Sequence, residues 1–169
     1  MKEYQQISHT FEPVWAEDSR ILILGTFPSV KSRENQFYYG HPQNRFWKLR
    51  SILTDSPLPE TISEKKELLL SHHIALWDVI QTCTITGSSD SSIRDVTPNE
   101  IGNLLAKTQI SAIYGNGAKA CELYDRYVRA ETELDIIKLP STSPANAAYR
   151  LERLCEEWGK HLSLHMGEE

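Results

Sequence analysis

Residues 20–26, RILILGT, set four aliphatic side chains in a row between a cation and a Gly-Thr turn. A strand with one wet face alternates apolar and polar residues. An uninterrupted run fits a strand covered on both faces, as in a parallel sheet. Three further runs repeat the pattern: HIALWDVI (73–80), ISAIYGN (110–116) and LDIIKLP (134–140). Small polar turns follow the four: GTFPS, QTCT, GNGAK and PSTSPAN.

Helical patterns fill the intervals. Phe46, Leu49 and Leu53 recur at i, i+3, i+7. Thr97-Pro98-Asn99-Glu100 predicts an N-cap, a first-turn proline and a capping-box glutamate before IGNLLAK. Thr61 and Glu64 predict the same box before KKELLL. Ser143-Pro144 predicts the start of the last helix, with Ala147, Leu151, Leu154, Cys155, Trp158 and Leu162 as its apolar stripe. Strands alternating with helices give an α/β class: a three-layer α/β/α sandwich around a short, mainly parallel four-stranded sheet. One domain over 1–169 is expected, with its core at about 20–162.

Composition narrows the function classes. With 40% hydrophobic and 24% charged residues the chain reads as an ordinary globular protein. No apolar run reaches bilayer length, and MKEYQQISHT lacks a signal-peptide core, so neither membrane association nor export is expected. Three scattered cysteines, Cys83, Cys121 and Cys155, oppose a disulfide framework and a four-cysteine metal site. The reading is a cytoplasmic monomer. Net charge is −5, yet residues 31–50 carry Lys31, Arg33, Arg45, Lys48 and Arg50 against Glu34, five cations minus one acid. A basic face on an acidic body suits a phosphate backbone; the plainer reading is a solvated charged face.

Open parallel sheets bind ligands beyond the carboxyl ends of their strands. The segment YYGHPQNRFWK (38–48) lies between the first such turn and the first helix, hence at that rim. No metal-ligand spacing accompanies His41, His72 and His73, so neither metal nor cofactor is expected. GNGAKA (115–120) lacks the spacing of a phosphate loop and reads more simply as a turn into a helix. Ser29 or Ser141 with His41 and Asp78 makes a triad on paper, without a nucleophile elbow. What remains is a mixture of rings, amides and cations. Rings stack bases, amides read base edges and cations hold phosphates, as an enzyme acting on a flipped-out base requires.

GTFPS (25–29), YYGHPQNRFWK and LPSTSPANA (139–147), in that order, resemble the motifs of the uracil-DNA glycosylase superfamily. HPQNRFWK (41–48) is similar to the equivalent stretch of the mismatch-specific uracil/thymine-DNA glycosylases. The whole pattern most resembles the hypoxanthine-DNA glycosylase branch. The resemblance implies a monofunctional, metal-free enzyme acting on DNA that contains deaminated bases. It would flip out hypoxanthine, with uracil as a second candidate, and hydrolyse the N-glycosidic bond to leave an abasic site.

Two departures stand out. Phe27 takes the first-motif position where most branches place an Asp or Asn that positions water, and Leu139 replaces a His or Asn in the third. The hypoxanthine branch uses a middle-motif asparagine, which corresponds to Asn44; its amide oxygen would orient water. The alternative for Asn44 is a plain first-turn helix residue. Gly25, Thr26, Phe27, Tyr39, Gly40 and Asp78 would surround the base. Tyr39 would stack and Asp78 would accept from a ring N–H. Their alternatives are an interfacial core tyrosine and a strand-end carboxylate. His41, Arg45, Lys48, Ser141, Thr142 and Ser143 would meet DNA, with Phe46 and Trp47 as packing. Two rivals stay open: a silent DNA-binding module of the same fold, and an unrelated small-molecule hydrolase.

Overall fold

A computed structural model describes residues 5–9, 11–28, 30–86 and 92–162. The strands are β1 (Gln5–Ser8), β2 (Ile21–Gly25), β3 (Ile74–Asp78), β4 (Ile80–Ile85), β5 (Arg94–Pro98), β6 (Ala112–Asn116) and β7 (Ile136–Leu139). The helices are α1 (Val30–Asn35), α2 (Phe46–Leu53), α3 (Ile62–Leu70), α4 (Ile101–Ala106), α5 (Ala118–Tyr127), α6 (Arg129–Thr132) and α7 (Leu151–Leu162). The four expected runs form one parallel sheet in the order β3-β2-β6-β7.

Successive side chains of a strand point to opposite faces, and both faces of β2 are dry, whereas the edge strand β7 leaves Ile137 and Lys138 exposed. Ile21 and Ile23 of β2 pack with Phe46, Leu49, Leu69 and Trp158, from α2, α3 and α7. Leu22 and Leu24 pack with Ile101, Leu104, Leu123 and Tyr124, from α4 and α5. The predicted layers are therefore present.

Three local expectations are corrected. The run 73–80 is not one strand. β3 ends at Asp78, and β4 begins at Ile80 in a second, antiparallel sheet of order β1-β4-β5. Asn99 holds that corner: its Nδ2 donates to the carbonyls of Asp78 (2.9 Å) and Ile80 (3.2 Å). The capping box at Thr97–Glu100 is consequently absent. Thr97 and Pro98 belong to β5, and α4 has no side-chain cap. Ser143-Pro144 starts no helix either; α7 begins at Leu151, and Ala147 is exposed in the preceding turns. The box at Thr61 and Glu64 does form, with both reciprocal bonds present. Among the described residues no helix is long and apolar enough to cross a membrane.

Candidate active site at the carboxyl edge of the sheet

The register aligns a row of strand ends: Asp78 beside Gly25, Leu24 beside Gly115, and Asn116 beside Leu139. The connection from β2 runs to β3 on one side, and that from β6 runs to β7 on the other. The switch in strand order thus falls between β2 and β6, where an open sheet leaves its crevice. Gly25 and Asn116 mark the two lips.

Gly25 lets the Asp78 carboxylate and the Tyr39 hydroxyl approach the β2 backbone closely. A Cβ added there would lie 2.4 Å from Asp78 Oδ1 and 3.1 Å from Tyr39 Oη. Asp78 is 3% exposed, and its Oδ2 accepts from His9 Nε2 at 2.9 Å. His9 sits just beyond β1, among the rings of Phe11, Phe27 and Tyr38 at 4.5, 6.2 and 5.8 Å. Its part in the site was not read from the sequence, since SHTFE carries no periodic or motif signal.

Tyr39 occupies the left-handed region at φ 54°, a conformation that side chains with a Cβ rarely adopt. Its neighbours impose it. Phe46 stacks on the ring at 4.3 Å, the Gly40 N–H donates to Ser32 Oγ at 2.8 Å, and Trp47 Nε1 donates to the Tyr38 carbonyl at 3.2 Å. With Phe46 on one face, only the other is left for a base. The Tyr39 hydroxyl is buried and has no hydrogen-bond partner among the described residues. Burial first, then the Asp78 carboxylate, push its phenol well above the ordinary range, with the Asn116 amide partly opposing. It therefore stays protonated, a buried donor beside Gly25 and Asp78. Phe27, half-buried, has the Arg33 guanidinium 5.6 Å above its ring.

Asn44 is fixed by its amide oxygen. Oδ1 accepts from the Phe46 N–H (2.9 Å), at the start of α2, and from Thr142 Oγ1 (2.8 Å). Thr142, fully buried, is seated in turn by Asn116, whose Nδ2 donates to Thr142 Oγ1 (3.1 Å) and whose Oδ1 accepts from the Thr142 N–H (3.0 Å). Asn116 is the second site residue missed. Its signal was available: a polar side chain ending an apolar strand at the functional edge.

The amide oxygen expected to hold water is thus already occupied by two donors, the capacity of its two lone pairs. What Asn44 offers a ligand is Nδ2. Thr142, expected against DNA, is an internal strut instead. Arg45, expected on phosphate, turns inward: Nε donates to the Thr142 carbonyl (3.3 Å), and one terminal nitrogen to those of Ser143 (2.6 Å) and Asn146 (3.2 Å). The other terminal nitrogen donates to the Tyr149 carbonyl. Four of five guanidinium hydrogens are engaged. Arg50 is fully buried too, so the basic stripe of 31–50 is thinner than its composition suggests. Lys48 is exposed on α2, and Ser141, Ser143 and His41 are half-buried at the rim. His41 Nδ1 accepts from the Gln43 N–H at 3.1 Å, which leaves Nε2 to carry the ring hydrogen. Leu139 is fully buried in the core.

Among the described residues no three His, Cys, Asp or Glu side chains gather as metal ligands. Of the paper triad, Ser29 lies outside the described residues, and Asp78 pairs with His9 rather than His41.

Comparisons with known proteins bear on the family and the fold. The profile of the Uracil DNA glycosylase superfamily matches residues 13–160. A Methanosarcina acetivorans protein named hypoxanthine DNA glycosylase is 37% identical over 155 residues, 89% of this chain and 95% of that one. A Methanosarcina barkeri protein of the same name is 35% identical over 141 residues, 80% and 86% of the two chains. The solution NMR structure of a candidate uracil DNA glycosylase from Methanosarcina acetivorans superposes with a TM-score of 0.77 at 33% identity, covering 90% of this chain and 94% of that one. A site built from three ordered motifs on this sheet, a profile spanning most of the chain and these relatives carry one conclusion: the chain belongs to the uracil DNA glycosylase superfamily.

Proposed function

We propose that the protein is a monofunctional DNA glycosylase that removes hypoxanthine from DNA, with uracil as a weaker substrate. The observation that carries this reading is the convergence of Asp78, Tyr39 and Asn44 on the one crevice that the sheet topology leaves. Two Methanosarcina relatives carry the name hypoxanthine DNA glycosylase, which supports the choice of base. Hypoxanthine offers a ring N–H to Asp78 and a carbonyl to a donor such as Tyr39 Oη. The missing Cβ at Gly25 lets Asp78 Oδ1 and Tyr39 Oη draw together at the strand end, where they would meet the base edge.

Breaking the N-glycosidic bond leaves a sugar cation, which water attacks with little need for deprotonation. Asn44, locked by Phe46 N–H and Thr142, donates from Nδ2 to that water. The water keeps a lone pair for the anomeric carbon. The contribution is one of position, not of proton transfer. No step calls for a metal, so excision should persist in excess EDTA. DNA is held by Lys48, His41 and the Ser141–Ser143 rim rather than by Arg45. The enzyme acts as a monomer in the reducing cytoplasm, consistent with the free thiols Cys83, Cys121 and Cys155.

The deciding experiment incubates the protein with duplexes that differ only in one base: inosine, uracil or mismatched thymine. Strand scission is read after alkali. Scission at inosine above the other two is expected. Binding without scission at any base would instead identify a silent module, and neither binding nor scission a different hydrolase.

A further inference from the structure

The His9–Asp78 pair is the feature of the crevice that the chemistry above leaves unexplained. A carboxylate reading a base edge needs no partner in principle; a strand-end Asp at 3% exposure would simply turn toward water. Here Oδ2 is tied to His9 Nε2 at 2.9 Å, and the imidazole is itself nearly closed off, with its side chain 2% exposed. Oδ1 lies against Gly25 at the strand end, 2.4 Å from where a Cβ would stand. The backbone fixes both ends. The His9 N–H donates to the Gln81 carbonyl, and Asn99 holds the Asp78 carbonyl at 2.9 Å. The charged and titratable groups facing the carboxylate are His9 from the β1 end and Tyr38 and Tyr39 from the 38–48 segment.

The chemistry of a deaminated purine makes that orientation consequential. Hypoxanthine and adenine differ at one edge. Hypoxanthine carries a hydrogen on N1, whereas adenine presents a bare lone pair there. A carboxyl group with a proton on its inner oxygen would welcome the wrong one. With the His9 Nε2 hydrogen directed at Oδ2, the carboxylate presents Oδ1 as an acceptor only. Such an acceptor attracts N1–H and repels a bare N1.

We propose that His9 is a specificity-determining positioning residue: by donating to Asp78 Oδ2 it holds Oδ1 in the crevice as an obligate acceptor, so that only bases with a ring N–H are excised. This rests on the glycosylase reading and on Asp78 as the base-edge reader. A buried polar group that must stay satisfied is the strongest device by which a pocket rejects a near-isostere.

The test compares single-turnover excision of deoxyinosine with that of deoxynebularine, a purine whose N1 is bare, in otherwise identical duplexes. The ratio of the two rates cancels differences in folding and DNA affinity. His9→Gln keeps a donor near Nε2 and should hold the wild-type ratio within about threefold. His9→Leu removes the donor and should lower the ratio about tenfold to a hundredfold, the worth of one charge-assisted hydrogen bond. Asp78→Asn supplies an independent arm. His9 would take the Asn oxygen and force its NH₂ into the crevice, inverting the preference toward nebularine. With His9→Leu added, the amide is free to turn and the inversion should vanish.

An unchanged ratio in His9→Leu, with both rates falling together, would overturn the inference and make His9 a packing residue. An unchanged ratio in Asp78→Asn would overturn it by removing Asp78 as the reader, while leaving the glycosylase reading intact. Failure of the wild type to release hypoxanthine would defeat the functional reading itself, and this inference with it.

Discussion

The segment 38–48 and the loop 140–149 meet at the same rim but are built on opposite terms. The first anchors itself. Tyr38, Phe46 and Trp47 are 1%, 0% and 6% exposed, and their rings interlock with Phe37, Tyr39 and Trp158. In the second, the one fully buried side chain among the described residues is Thr142, and the ties that seat it come largely from elsewhere. Trp158 Nε1 holds the Pro140 carbonyl at 2.8 Å, Asn116 holds Thr142, and Arg45 holds four carbonyls. Size and charge in the first segment thus serve as scaffold. The small polar loop, which reaches the rim, depends on it. A cation beside a DNA-binding surface is not thereby a DNA contact.

The strongest way to break this contrast is Trp158→Ala, which removes a fully buried indole and the donor to Pro140. It should cost about 3–5 kcal/mol of stability by denaturant titration. In the surviving fold, amide exchange should quicken in 140–149 and hardly change in 38–48. Equal acceleration in both would mean that the two segments open as one unit.

Asn44→Ala cuts the joint between them. Single-turnover excision should drop about a hundredfold to a thousandfold while melting and DNA affinity stay close to wild type. Asn44→Asp sharpens the point. It keeps the acceptor for Phe46 N–H and Thr142 and deletes the Nδ2 donor, so its loss should approach that of alanine. Substantial activity in the aspartate variant would return the water to an oxygen of this side chain.

Arg45→Ala deprives the loop of its brace and should cost about 1–3 kcal/mol. Lysine should rescue little, because a point charge cannot span four carbonyls as a planar fork does. The salt dependence of DNA binding should be unaltered. A flatter salt slope would return Arg45 to the phosphates. Lys48→Ala is the smallest change: stability constant, base preference constant, and a salt slope lower by about 1.

These contrasts also show where sequence reading succeeds. Ile21–Leu24 was legible because burial on both faces leaves an unbroken aliphatic run, which needs no knowledge of partners; its counterparts were legible as strands, though the edge strand β7 is mostly exposed and the run 73–80 ends its strand at Asp78. The second sheet was not. β4 and β5 have mixed burial, and the corner joining β3 to β4 is made by Asn99, 21 residues away. Asn44 and Asp78 could be named as candidates because strand ends and a motif pointed to them. The direction of Arg45 was not, since its acceptors lie 97–104 residues further along. Charge announces itself in a sequence; the side of the surface on which it ends up does not.

That separation has a consequence for how the protein comes into being. A ribosome adding about 5–20 residues per second leaves roughly 5–20 s between Arg45 and the Tyr149 carbonyl that it grips, 104 positions on. The aromatic segment can collapse onto the young β2 strand early, but the crevice has no floor until Asn116 arrives and no clasp until α7 docks. A nascent chain therefore has Asn44 long before it has the Thr142 hydroxyl that donates to its Oδ1. The ties that complete this rim therefore form late, once Asn116, Thr142 and α7 are all in place.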